Sequence, residues 1–163
     1  MASDFADLLA ANAAFAETFD LAGFDGVALS GVAVVTCMDS RINPLRMLGL
    51  QPGDAKIFRN PGGRVTNAAL DAMVLGVHLL GVERILIVPH TRCAMAMHSE
   101  AELRALVTAA SGQDAAWTSW SVVTDRRQPC AKTWPGCARI PSSPNEYRSA
   151  VSCTTSTPAD SSS

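Results

Sequence analysis

Val34-Val35-Thr36-Cys37-Met38-Asp39-Ser40-Arg41 constrains this chain more than any other stretch. It contains the end of a short, β-branched apolar run, Gly31 to Thr36, with no alternation of polar and apolar positions. Such a run predicts a strand covered on both faces, and strands of that kind belong in parallel sheets flanked by helices. The residues that follow bring a soft metal ligand, a carboxylate and a guanidinium to one sheet edge: Cys37, Asp39 and Arg41.

The rest of the order fits such a sheet. Ala55 to Arg59 and Arg84 to Val88 read as two more strands. Between them, Val65, Ala68, Ala69, Ala72, Met73, Gly76, Leu79 and Leu80 recur at helical spacing up to Gly81. A short helix at Leu45 to Leu48 closes at Gly49, and Ser99 is placed to cap another helix running to about Ala110. Ala94 to Met97 reads as a single helical turn, and Trp117 to Thr124 is apolar enough to pack. The expected class is α/β, with a central, mostly parallel sheet joined by right-handed crossovers. Near the amino terminus, Ser3 is placed to cap a helix with Phe5, Leu8, Leu9, Phe15, Ala16 and Phe19 on one stripe. That stripe serves the domain or a partner subunit equally well.

At 163 residues with 48% hydrophobic content, the chain is enough for one domain with a real core, expected over residues 1–125. A formal charge of −2 with interspersed signs gives no footprint for nucleic acid and no polybasic membrane anchor. Ala72 to Val82 is the longest apolar stretch and is far too short to span a bilayer. Asp4 and Asp7 stand where a secretory signal would be basic, so the expected location is cytoplasmic. In that compartment the five cysteines read as reduced thiols or metal ligands. From Arg126 to Ser163 nearly half the residues are Ser, Thr or Pro without period, which predicts a disordered tail.

In a parallel sheet, Cys37 after one strand and His90 with Cys93 after another emerge at the same carboxyl-end edge, where open α/β sheets bind ligands. Two thiolates and an imidazole suit tetrahedral zinc with its fourth position open. Zinc so held lowers the pKa of a bound water to about 7, giving a hydroxide nucleophile for hydration or hydrolysis of a small electrophile. Asp39 lies close enough in sequence to reach the metal or its hydroxide, and Arg41 can pair with that carboxylate.

Plainer readings stand beside this one. A cysteine ending a buried strand is often a small apolar residue, and one H-x-x-C is a weak metal signal. Thiol redox chemistry at Cys37 and Cys93 is a further alternative. His78 and His98 read as ordinary helix or surface histidines, with a proton shuttle the sharper option for His98, and Met95 and Met97 read as packing. Gly62-Gly63 makes either a plain turn or a pair of amides for a substrate anion.

Three motifs in this order, Cys37-x-Asp39-x-Arg41, Arg59-Asn60-Pro61-Gly62-Gly63 and His90-Thr91-x-Cys93, resemble the β-class carbonic anhydrases. The similarity runs from about Gly31 to Met97 and more loosely through Asp125. The resemblance implies zinc on Cys37, His90 and Cys93, one ion per subunit, with Asp39 and Arg41 gating the fourth position. It implies reversible hydration of carbon dioxide to bicarbonate and a proton. It also implies homodimers, or higher homo-oligomers, in which the first helix packs on the neighbour. Arg92 stands where that motif commonly has Asp, Ala94 where it has glycine, and Pro61 where alanine is common. A need for positive φ after Cys93 would strain Ala94.

The tail departs further, since the family continues with a helix and an edge strand that this chain lacks by composition. Moving the reading frame back by one base places the T of Cys, Trp and most Ser codons in the middle position, which encodes apolar residues. Cys130, Trp134 and Cys137 then become apolar at helical spacing, and Ser149 to Ser156 give a Gly-Gly followed by an alternating strand. A frameshift near Arg126 is therefore expected. The competing expectation for function is a truncated, metal-free or inactive scaffold that keeps the motif.

Overall fold

A computed structural model describes residues 4–120, 122–123, 137–139 and 151–154. Its centre is a parallel three-stranded arrangement. Strand β1 (Val32–Cys37) lies between β2 (Ala55–Asn60) and β3 (Arg84–Val88) and runs parallel to both. Every residue of β1 from Ala33 to Cys37 is buried, which is why the run carries no alternation. Helix α2 (Pro44–Leu48) leads from β1 to β2, and α3 (Asn67–Leu79) leads from β2 to β3 on the other side of β1. The chain thus changes winding direction at β1, and the carboxyl ends of β1 and β3 form a topological switch point.

The core on one side of the sheet joins Ala33 and Val35 of β1, Ile85 and Ile87 of β3, and Ala69 and Met73 of α3. Val35 is 1% exposed, so its truncation to Ala removes about 2 kcal/mol of burial and packing. α3 begins two residues later than the apolar pattern implies, because the Thr66 side chain accepts from the Ala69 N–H and caps it there. Ala69, Met73 and Gly76 are its buried residues. Leu79, expected on the buried stripe, is exposed, since it occupies the final helical position beyond Gly76.

α4 (Ala94–Met97) is the expected single turn, and α5 (Glu100–Ser111) carries the expected Ser99 cap, reinforced by Glu102 reaching back to the Ser99 N–H. A 3-10 turn, Ala115–Trp117, follows. There Ala115 is buried while Trp117 is exposed, so Trp117 does not pack as its composition suggests.

Helix α1 (Ala6–Glu17) has no buried residue. Its stripe of Phe5, Leu8, Leu9 and Phe15 faces outward, and the Phe15 and Phe19 rings lie 5.5 Å apart. Ser3 lies outside the described residues; Phe5 occupies the N-cap without a side-chain bond, and the Asp4 carboxylate accepts from the Ala6 N–H.

The sheet continues past β3 with two short strands, β4 (Cys137–Arg139) and β5 (Val151–Thr154), in the order β2-β1-β3-β5-β4. β5 runs antiparallel to β3, pairing Ile87 with Val151 and Arg84 with Thr154. An edge pairing therefore occupies the flank expected to lack a strand, supplied by a segment whose composition predicts none. The reason is local: the free edge of β3 offers unpaired N–H and C=O groups, and Val151 and Thr154 are β-branched. The expected absence of a carboxy-terminal helix, and the rest of the tail read as displaced codons, residues 126–136, 140–150 and 155–163, lie outside the described residues.

Candidate metal centre

Parallel register brings the three ligand candidates together. Cys37 is the last residue of β1, His90 lies two residues beyond β3, and Cys93 caps the amino end of α4. All three are buried, and their ligand atoms lie within 4.8 Å of one another. Cys37 Sγ and Cys93 Sγ are 3.9 Å apart; two sulfurs on one tetrahedral zinc stand about 3.8 Å apart. Both ring nitrogens of His90 are buried without a hydrogen-bond partner. A buried imidazole so left is costly, and a metal ion relieves it. The donor set therefore fits zinc.

The loop after β2 supports the first thiol. The Gly62 N–H donates to Cys37 Sγ at 3.4 Å, and the Gly63 N–H donates to Asn60 O at 3.2 Å. These amides face the metal ligand and the turn in this structure. Gly63 has φ 61°, and a Cβ there would stand 2.9 Å from Cys37 N and 3.1 Å from Val88 O, so only glycine lets the loop lie against the ends of β1 and β3. Asn60 closes the loop by donating to Arg64 O at 2.7 Å and accepting from the Arg64 N–H at 2.8 Å.

Asp39 and Arg41 form a two-point pair: Nε donates to Oδ1 at 2.9 Å and Nη2 to Oδ2 at 2.6 Å, while the Arg41 backbone N–H also donates to Oδ1. These contacts hold the Asp39 carboxyl well below the usual carboxylate range, the side-chain bonds from Arg41 contributing most. Asp39 Oδ2 stands 3.7 Å from His90 Nε2, beside the metal group but outside the three-ligand set. Burial pushes the Cys93 thiol up and neighbouring Cys37 pushes it the same way, against backbone N–H bonds from Met95 and Ala96.

Arg59 and Asn60 are supporting residues to which residue chemistry alone assigns no task. Arg59 donates through Nε to Cys37 O at 2.9 Å and through Nη2 to Asp39 O at 2.6 Å. The signal for both is register, since Thr36 pairs with Arg59 and Cys37 with Asn60. The positive φ falls on Arg92, at 55°, and not after Cys93; Ala94 opens α4 unstrained. Met95 and Ala96 pack against Cys37, Ile42 and Cys93, as expected for Met95. His78 in the last turn of α3 and His98 at the end of α4 stand outside the ligand group. Among the described residues, no helix is long and apolar enough to cross a membrane.

Comparison with known proteins agrees with this geometry. The carbonic anhydrase family pattern matches residues 32–122, more than half of the chain. Beta-carbonic anhydrase 1 of Mycobacterium tuberculosis is 32% identical over 100 residues, covering 60% of this chain and 61% of that protein. The match thus spans less than two thirds of that relative. The carbon disulfide hydrolase of Acidianus sp. is 45% identical over 62 residues, 38% of this chain and 30% of that one. Among solved structures, carbonic anhydrase from Streptococcus mutans superposes with a TM-score of 0.67 at 33% identity, covering 77% of this chain and 76% of its own. The chain belongs to the carbonic anhydrase family, in its β class.

Proposed function

We propose that residues 1–125 form a zinc-dependent carbonic anhydrase domain that interconverts carbon dioxide with bicarbonate and a proton. The observation that carries this reading is the buried Cys37, His90 and Cys93 group beside an Asp39 carboxylate engaged by Arg41. Bound zinc supplies a Lewis acid and a water acidified to near-neutral pKa. Cys37, His90 and Cys93 would hold the ion, and the Gly62 N–H steadies the Cys37 sulfur. Arg59 fixes the turn carrying Asp39 through two carbonyls, and Arg41 keeps Asp39 ionised and engaged, so that the carboxylate would leave the fourth position of a bound ion open. Asp39 Oδ2 would be placed to accept a hydrogen bond from an attacking water and orient it. Ile42, Met95 and Ala96 give the site an apolar flank suited to an uncharged substrate.

The exposed stripe of α1 supports a homodimer, or a higher homo-oligomer, with this helix on the neighbouring subunit. A cytoplasmic location, with neither nucleic acid nor membrane as partner, agrees with the interspersed charge. Zinc stoichiometry with stopped-flow carbon dioxide hydration tests the reading.

Two other readings have specific support. The 45% identity to a carbon disulfide hydrolase covers a segment of 62 residues, so carbon disulfide is the competing substrate, tested by sulfide release. The Ser/Thr/Pro-rich composition of residues 126–163 supports a displaced frame and a scaffold without activity. One inserted or deleted base near codon 126 is expected in the gene. An uninterrupted frame shared with relatives through these codons would sink that idea, and a frame-restored chain measured in parallel isolates its effect.

A further inference from the structure

We propose that Asn60 is a positioning residue for the metal centre, folding the loop after β2 so that the Gly62 N–H is reserved for the Cys37 sulfur. The inference deepens the metal-centre reading and rests on it. Asn60 ends β2, pairs in register with Cys37 and is 9% exposed. Its side chain makes two bonds to one residue: Nδ2 donates to Arg64 O at 2.7 Å, and Oδ1 accepts from the Arg64 N–H at 2.8 Å. Its carbonyl accepts from the Met38 N–H at 3.1 Å and from the Gly63 N–H at 3.2 Å. One residue thereby ties the far end of the loop to the peptide that follows Cys37.

The donors of the loop show what this arrangement accomplishes. Pro61 has no N–H, and those of Gly63 and Arg64 both end on Asn60. Gly62 directs its N–H to sulfur instead, 3.4 Å from Cys37 Sγ. Gly62 and Gly63 have φ of 88° and 61°, so two successive left-handed residues bend the chain back over Cys37. An N–H directed at a thiolate stabilises its negative charge, and outer bonds of this kind orient and tune a metal ligand. The side chain at position 60 must donate and accept at once; an aspartate carboxylate cannot donate, and alanine does neither. Asn60 therefore acts on the metal centre through Gly62.

The test loads full-length protein with cadmium-113 and looks by NMR for scalar coupling between the metal and the Gly62 amide proton, which passes through the Cys37 sulfur only while the N–H···S bond exists. Wild type should show the coupling. Asn60→Ala should lose it and bind zinc about 10- to 100-fold more weakly. Asn60→Asp keeps the size and the acceptor, so its weakened coupling reads the lost donor even if Asn60→Ala unfolds. Ile85→Val trims the core elsewhere in the sheet and should keep both coupling and zinc affinity, which separates positioning from general loosening. Circular dichroism verifies folding of each variant. Absent coupling in cadmium-loaded wild type would overturn the proposal, as would coupling unchanged in the Asn60 variants or lost equally in Ile85→Val. A chain that takes up no cadmium would overturn it together with the metal-centre reading. Intact coupling in a protein whose zinc form hydrates no carbon dioxide would sink the activity alone.

Discussion

Asp39 and Arg41, two residues apart, lock together through Nε on Oδ1 at 2.9 Å and Nη2 on Oδ2 at 2.6 Å, which engages both oxygens of the carboxylate that stands 3.7 Å from His90 Nε2. Arg41→Ala frees Asp39 to take the fourth metal position. Hydration should fall by about 10- to 100-fold with zinc content unchanged. Arg41→Lys should not restore it, because an ammonium cannot make the two-point pair. Full activity in Arg41→Ala would show that the pair is ornamental.

The same pair sets a pH expectation. Arg41 depresses the Asp39 pKa in the folded state, so the pairing is fully present above the ordinary Asp value of about 3.9 and is lost as pH falls through the lower folded value. Across about pH 5 to 9 the hydration profile should carry no inflection from Asp39. In the metal-free protein Arg41→Ala should move the Asp39 titration upward, as read by carbon-13 NMR of labelled aspartate.

Gly63 permits the closest backbone approach at the site. Gly63→Ala puts a Cβ 2.9 Å from Cys37 N with φ at 61°, and neither backbone neighbour can yield cheaply. Chemical denaturation should show a loss of about 3 kcal/mol or more. Gly112→Ala is the control: its φ is 70° but nothing lies within 4 Å, so the cost should be about 1 kcal/mol.

Arg92→Gly removes the left-handed strain at φ 55° and should stabilise the fold by about 0.5–1 kcal/mol, read as a higher denaturation midpoint. An unchanged or lower midpoint would mean that contacts of the arginine side chain outweigh the strain.

Metal loading should release protons. In the metal-free protein burial keeps the Cys93 thiol protonated beyond its ordinary range, whereas the ion takes the thiolate. Zinc affinity should therefore rise with pH, and titration in weak buffer should acidify the solution. Cys37→Ser or His90→Ala should abolish stoichiometric zinc.

Much of the fold is legible in the sequence because short-range pattern and chemistry agree. Val32 to Thr36 and Arg84 to Val88 have no alternation, so their burial and parallel pairing follow from residue type, and the separation of Cys37 from His90 and Cys93 becomes proximity through topology. Arg59 and Asn60 are opaque because their roles come from register across β1 and β2, a long-range property. No positive φ is needed after Cys93, because the helix starts immediately there, and the left-handed residue is Arg92. β5 is hidden because four residues in a polar segment carry too little periodicity to stand out, while the open edge of β3 is enough to pair them.

The most direct measurement of the central claim is zinc content and stopped-flow carbon dioxide hydration on the purified 163-residue chain, beside its Cys37→Ser variant. The predicted result is about one zinc per chain, as a three-ligand site requires, and hydration above the uncatalysed rate, both lost in the variant. A folded chain that takes up no zinc, or a zinc-loaded chain that hydrates no faster than buffer, would contradict it.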